Sequence, residues 1–149
     1  MKRVVCRLQE EKGTGLVEFA LMATVLAFLL FGIWDFGRVL DARIVATNAA
    51  REAARYGAVY GADQDLSQAE VVSQAQQKAT EYLQTGLGTR TDIRPYSVSD
   101  IVVQFPNGRL VGEPVQVSVD LKVDVWPFMR QFFGGADVAT IRGAASIRI

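Results

Sequence analysis

The sequence contains no histidine, a single cysteine (Cys6) and no excess of charge of either sign. The missing histidines and the single cysteine exclude a zinc site of His and Cys ligands, a histidine general base and an internal disulfide framework. The 16 basic and 16 acidic residues balance, so no basic field draws the chain to nucleic acid. Its 149 residues are enough for one ordinary domain. We therefore expect a chain that is not an enzyme and that has no cofactor, no metal site and no nucleic-acid partner.

One stretch near the N-terminus is long and apolar. The 16 residues from Phe19 to Trp34 carry no charge, but as a helix they measure only about 24 Å, against a hydrocarbon core of about 30 Å. A spanning helix must begin nearer Thr14, which gives about 31 Å and places Glu18 inside the membrane or at its boundary. A carboxylate at membrane depth is costly, which makes Glu18 a functional candidate. The alternative, that Glu18 lies at the level of the lipid headgroups, stays open.

The helical pattern continues past Trp34 as an amphipathic extension. On a helical wheel one side collects Phe36, Val39, Ala46, Ala49, Ala50, Ala53 and Ala54, and the opposite side collects Asp41, Asn48, Arg51, Glu52 and Arg55. The first break is Gly57, which predicts one helix made of a membrane segment, residues 14–34, and an extension, residues 35–57. The alanine stripe allows another backbone to approach closely, either a sheet of the same chain or a neighbouring helix.

Residues 58–149 predict a separate α+β domain. After a loop from Gly57 to Asp65, Ser67 and Glu70 have the spacing of a capping box, which predicts a second helix ending near Gly86. The apolar face of that helix is predicted to consist of Val72, Ala75, Ala79, Tyr82 and Leu83.

The apolar period changes from 3.6 to 2 after Ser97, which predicts an antiparallel sheet of about three strands. The predicted strands are Ile101 to Phe105, the alternating series from Val115 to Val125, and a last strand ending at Ile149. Between the first two, Asn107 and Gly108 have the sequence of a type I′ turn. The fold class is thus α+β: a long N-terminal helix, a second helix and a small antiparallel sheet.

The acidic residues of the sheet do not predict catalysis. Asp120 and Asp124 lie on the polar side of an alternating strand, where solvated carboxylates are the ordinary finding. Serines have no histidine to activate them. We therefore predict no catalytic residues.

The entrance to the apolar helix resembles a known processing signal. A short charged leader ends in Gly13, and Glu18 follows five residues later beside the aromatic Phe19. This arrangement resembles the class III signal of type IV pilins. The sequence GTGLVEFAL (13–21), with GIWDFGR (32–38) and TNAAREAARY (47–56), is similar to the TadE-like pseudopilins of the tight-adherence pilus system.

The resemblance implies that residues 1–13 are a prepilin leader and that a prepilin peptidase cuts after Gly13. Thr14 then becomes the N-terminus and Glu18 the fifth residue. With Phe19 beside it, Glu18 is implied to take part in subunit packing and register. Major pilins of this class are very short and commonly carry tyrosine after the glutamate, so Phe19 and the large C-terminal domain indicate a minor pseudopilin.

Two functions follow as hypotheses. The first is a processed minor pseudopilin in the assembly or structure of a tight-adherence pilus, whose partners are the prepilin peptidase, other major and minor pilins and the inner membrane. The alternative is an uncleaved, single-pass membrane anchor that carries an extracytoplasmic binding domain. In both, the short N-terminal side is cytoplasmic and residues 58–149 lie outside the cytoplasm. The pseudopilin could in addition be incorporated into an extracellular pilus.

Overall fold

The structure is a computed structural model that describes residues 2–127, 130 and 134–149, with residues 2–13 described by their backbone alone. Its elements, in chain order, are α1 (Lys2–Tyr60), α2 (Gln68–Leu87), a single 3₁₀ turn (Val98–Asp100), β1 (Ile101–Gln104), β2 (Pro114–Asp124) and β3 (Val138–Arg148). The α+β class with a long first helix is confirmed. The chain forms two compact units, Met1–Gly37 and Arg38–Ile149.

The first unit is helical throughout its described residues. The backbone of α1 runs through Gly13, Gly32 and Gly37 without leaving the helix. Inside the apolar stretch, the Thr24 hydroxyl donates a hydrogen bond of 2.8 Å to the Ala20 carbonyl one turn earlier. This bond satisfies the hydroxyl within the helix, so Thr24 needs no polar partner from outside.

In the second unit, the alanine stripe of α1 packs against the sheet of the same chain. Six alanines on this stretch are fully buried: Ala42, Ala46, Ala49, Ala50, Ala53 and Ala54. Where β3 crosses the stripe, a Cβ added to Gly143 would lie 2.4 Å from the carbonyl carbon of Ala46. Only a glycine opposite an alanine allows two backbones to come this close. Of the two alternatives left by the sequence, the structure shows the sheet.

The end of α1 lies three residues beyond its expected position. The loop was expected to start at Gly57, but the helix continues to Tyr60. A Cβ at Gly57 would lie 2.9 Å from Cγ1 of Val115 on β2, so this glycine makes room for the sheet and does not end the helix. The rings of Tyr56 and Tyr60, 4.5 Å apart between centroids, pack along the additional turn.

Helix α2 begins at the predicted capping box. The Ser67 hydroxyl accepts a hydrogen bond from the Glu70 amide at 3.2 Å, and the Glu70 carboxylate accepts one from the Ser67 amide at 2.8 Å. The buried face differs by two residues from the prediction. Its members lie four residues apart: Val71, Ala75, Ala79, Leu83 and Leu87. Val72 is half-buried and Tyr82 is exposed, since the buried stripe follows the four-residue series and therefore turns around the helix along its length.

The sheet is antiparallel, in the order β1-β2-β3. In the register, Val117 of β2 faces Val103 on one side and Ala145 on the other. The alternation predicted for β2 is confirmed, because five of its residues are buried under the helices: Val115, Val117, Val119, Leu121 and Val123. The core of the second unit therefore lies between this face and helices α1 and α2.

The connection from β1 to β2 is not the predicted type I′ hairpin. A type I′ turn needs positive φ at both central residues, and no described residue other than glycine has positive φ. The first turn instead closes with a 3.1 Å bond from the Gly108 amide to the Phe105 carbonyl. Pro106, which fixes φ near −65°, occupies the second position of that turn, so Asn107 becomes its third residue and Gly108 its fourth.

Candidate membrane and subunit-packing segment

The apolar stretch of the first unit exposes its large side chains on every side of the helix. The exposed large hydrophobic residues are Leu16, Val17, Phe19, Leu21, Met22, Val25, Leu26, Phe28, Leu29, Leu30, Phe31, Ile33, Trp34 and Phe36. A helix that is apolar all round belongs in a membrane or within a bundle of other helices. By length and composition α1 is able to cross a membrane. Asp35, near the end of the stretch, is buried, with 3 % of its surface exposed.

The four predicted site residues lie next to one another on α1. Thr14, Glu18 and Phe19 are exposed, Phe19 to 73 %. Thr14 and Glu18 are four residues apart, so they lie on the same face in adjacent turns. Among the residues that the structure describes, Glu18 forms no ion pair. Gly13 continues the helical backbone. The segment thus presents one carboxylate at the start of an apolar surface that a lipid or another helix can cover.

A cluster of ion pairs at the start of the second unit was not predicted from the sequence. Arg38 donates to Asp92 at 3.1 Å and to the Asp124 carbonyl at 3.2 Å. Arg90 donates to the same Asp92 carboxylate at 2.7 Å and to Asp41 at 2.5 Å. Arg38, Arg90 and Asp92 are mostly buried, so the Asp92 carboxylate joins α1 to the loop before β1 in surroundings with little solvent screening.

The charges around Asp92 stabilise its ionised form. The hydrogen bond from Arg90, assisted by the positive charges of Arg90 and Arg38, lowers the pKa of Asp92 from its ordinary 3.8 to about 2. Partial burial acts in the opposite direction and is outweighed. Fifty-four residues separate Arg38 from Asp92, so no local pattern in the sequence indicates this pairing.

The two aspartates of β2 serve as ion-pair partners. Asp120 accepts two hydrogen bonds from Arg142, at 2.7 and 2.8 Å, and Asp124 accepts one from Arg94 at 2.7 Å. The bonds from Arg142 lower the pKa of Asp120. Asp120 and Arg142 are directly opposite in the register of β2 and β3, which is the arrangement of an ordinary cross-strand pair. In the described part of the chain, no group of three His, Cys, Asp or Glu side chains could hold a metal ion.

The comparisons with known proteins agree with the position of this segment. The family model described as TadE-like protein matches residues 13–55. No curated protein and no solved structure matches the chain. The match begins at Gly13 and includes the exposed apolar stretch and all six alanines of the buried stripe. The resemblance expected from the sequence is therefore confirmed over residues 13–55, which are similar to the TadE-like proteins.

Proposed function

We propose that the chain is a processed minor pseudopilin that takes part in the assembly or structure of a tight-adherence pilus. The observation that carries the proposal is that the large side chains of the apolar stretch of α1 are exposed. The same stretch lies within the segment that the family model matches. Such a surface needs lipid before assembly and neighbouring helices afterwards. In this proposal the second unit lies outside the cytoplasm and the helix lies in the inner membrane until the subunit is incorporated.

The proposal includes removal of residues 1–13 by a prepilin peptidase. The family match supports this boundary, because it starts at Gly13 and leaves out the charged residues before it. Removal takes away four basic and two acidic side chains, which leaves 12 basic and 14 acidic residues in 136. Loss of the basic end removes charges that hold the N-terminus in the cytoplasm, which favours extraction of the helix from the bilayer.

After the cut, Glu18 gains a counter-ion of the right sign. The new α-amino group of Thr14 is charged near neutral pH, and in a bundle of pilin helices it can pair with Glu18 of an adjacent subunit. A pair that must be satisfied between subunits fixes their axial register, which is the best-supported use of a costly buried charge. Glu18 is exposed and without an ion pair among the described residues, so its carboxylate is available for this contact.

Mass spectrometry of the membrane-extracted protein tests the processing. In cells with an active prepilin peptidase, the mature chain should begin at Thr14, and Gly13→Leu should block the cut. Gly15→Leu is the matched control, because a side chain at Gly15 meets nothing within 4 Å and lies two residues beyond the proposed bond. An N-terminus that stays intact in the unsubstituted protein would refute processing and leave the uncleaved membrane-anchored binding domain.

Shearing of pili from the cell surface tests the role of Glu18. Glu18→Ala should still be cut after Gly13, but less of the protein should co-purify with sheared filaments. Thr24→Ala is the matched control, because the Thr24 hydroxyl is already satisfied within its own helix. If Glu18→Ala co-purifies as well as the unsubstituted protein, Glu18 does not set the register of the subunits.

A further inference from the structure

The two edges of the sheet differ in how well they are protected. Strand β1 has four residues and is followed at once by the turn containing Pro106, so it offers a short edge. Strand β3 has 11 residues, contains no proline and directs no charged side chain into the core. Natural sheets protect exposed edges with short strands, prolines or inward charges. Among the described elements, no strand pairs with the outer edge of β3, which lacks these three features and carries exposed charges at Arg142 and Arg148.

A positively charged stripe of α1 runs beside this edge. Asn48, Arg51 and Arg55 lie on one side of α1 and line an open groove together with residues 144–147 of β3. Both arginines are exposed, and the side chain of Arg51 donates to Asn48 at 3.3 Å. Glu52 also lines the groove, and its negative charge offsets one of the two arginines. The charge that remains in the groove is positive.

We propose that the groove binds an extended segment of a partner protein, which adds to β3 as a fourth strand and carries two acidic residues separated by one residue. The backbone of the segment would pair with the free N–H and C=O groups of β3. Arg51 and Arg55 are about 6 Å apart along the helix axis. Alternate residues of a strand are about 6.7 Å apart and point to the same side, so an acidic-x-acidic segment places one carboxylate near each arginine.

A second copy of this chain is a poorer occupant. If two β3 edges paired, each would bring its own Arg51 and Arg55 to the same groove. Like charges facing one another across an interface are unfavourable. An acidic segment from a different protein meets the same arginines with opposite charge. The proposal goes beyond the pseudopilin function and does not depend on removal of residues 1–13.

Peptide binding to the full chain in detergent micelles tests the proposal. The probe is a fluorescein-labelled synthetic peptide, Thr-Val-Glu-Val-Glu-Val-Thr, measured by fluorescence anisotropy at low salt. We expect saturable binding that weakens at least tenfold in the Arg51→Glu/Arg55→Glu variant. The same peptide with lysines for its two glutamates should bind that variant better than the unsubstituted protein. Arg43→Glu is the matched control, since Arg43 is an exposed arginine of α1 outside the groove.

A second measurement separates strand addition from simple attraction of charges. The same peptide with N-methyl groups on the amides of its three valines and two glutamates cannot form the ladder in either strand direction and should not bind, while the unmodified peptide should slow hydrogen exchange at residues 144–147. The proposal is overturned if the methylated peptide binds as well, or if protection appears elsewhere. Circular dichroism checks the fold of the charge-reversed variant, and Arg51→Gln/Arg55→Gln replaces it if it misfolds. Absence of binding to the unsubstituted protein also refutes the proposal.

Discussion

Helix α1 contains one stretch of large, exposed apolar side chains and one stretch of small, buried ones. Between residues 14 and 37 the side chains are large and exposed, as with Phe19 and Leu26 at 73 % and 57 %. In the second unit, the stripe that faces the core consists of alanines with no exposed surface, such as Ala46 and Ala50. Large apolar groups usually form the core, and small ones contribute little to the hydrophobic effect.

The difference shows that the two stretches bury their apolar surface against different things. The alanines allow a sheet backbone to approach closely, and the large residues that fill the core come from that sheet and from α2, as with Leu121 and Leu83. In the part of the chain that the structure describes, the large residues of the first stretch are exposed. In the proposed function, lipid or other subunits cover them, and substitutions there should cost little until those surroundings form.

The same substitution in the two regions should give the largest contrast. Leu121→Ala removes a fully buried side chain of β2 and should lower the free energy of unfolding by about 2–5 kcal/mol. Leu26→Ala, on the exposed stretch, should change it by less than about 0.5 kcal/mol. Urea unfolding of the full chain in detergent micelles, followed by the fluorescence of Trp126 in a Trp34→Phe background, measures both. Equal losses would show that the exposed stretch already belongs to the folded core.

A glycine in each unit allows the same comparison for the effect of an added methyl group on stability. A Cβ at Gly143 would lie 2.4 Å from backbone of α1, so Gly143→Ala should force β3 away from the helix and destabilise the second unit by about 1–3 kcal/mol. Gly37→Ala meets nothing within 4 Å and lies in a helix, where alanine is favoured by up to about 1 kcal/mol. Urea unfolding should therefore give opposite signs. A neutral result for Gly143→Ala would mean that the two backbones are not held together.

The sequence predicted the features that local patterns encode. The capping box at Ser67, the alternation of β2 and the alanine stripe follow from spacing alone, because each element has one face to bury. The predictions for the end of α1 and for the turn at Asn107 were wrong, because in each case a neighbouring residue decides the conformation. Val115 uses the space at Gly57, and Pro106 occupies the second position of the turn, which makes Asn107 its third residue.

Within the candidate site, the sequence identified the exposed segment but not its surroundings. Glu18 was predicted from the position of a charge in an apolar run and Phe19 from the resemblance to pilin signals, and the roles of both stay predictions. The pairing of Arg38 with Asp92 joins residues that only the folded chain brings together. The groove beside β3 was missed for the same reason, because Arg51 and Arg55 appear in the sequence as an ordinary solvated face of a helix.

The ion pairs at the start of the second unit predict that the stability of this unit depends on pH. Because the pKa of Asp92 falls from 3.8 to about 2 on folding, its contribution of about 2 kcal/mol is present above pH 4 and is lost as the pH falls toward 2. Asp92→Asn should remove this part of the acid dependence and leave Arg38 and Arg90 partly unpaired. Urea unfolding between pH 2 and pH 7 measures it.

The control for this pH dependence is Asp65→Asn, an exposed aspartate of the loop before α2, which should change stability by less than about 0.5 kcal/mol at every pH. If the free energy of unfolding of Asp92→Asn falls with decreasing pH as steeply as that of the unsubstituted protein, the cluster around Arg38 does not hold α1 to the loop before β1.

The smallest expected effect concerns the start of α2. Ser67→Ala removes the hydroxyl that accepts from the Glu70 amide and should cost about 1 kcal/mol, while the amide of residue 67 keeps its bond to the Glu70 carboxylate. Ser73→Ala, six residues later, removes a hydroxyl that bonds to a helix carbonyl and should change stability by less than about 0.5 kcal/mol. Urea unfolding should show a loss for the first variant alone, because only Ser67 satisfies a backbone group that the helix cannot satisfy itself. Equal effects would mean that the packing of Val71 and Ala75, and not the cap, fixes where α2 begins.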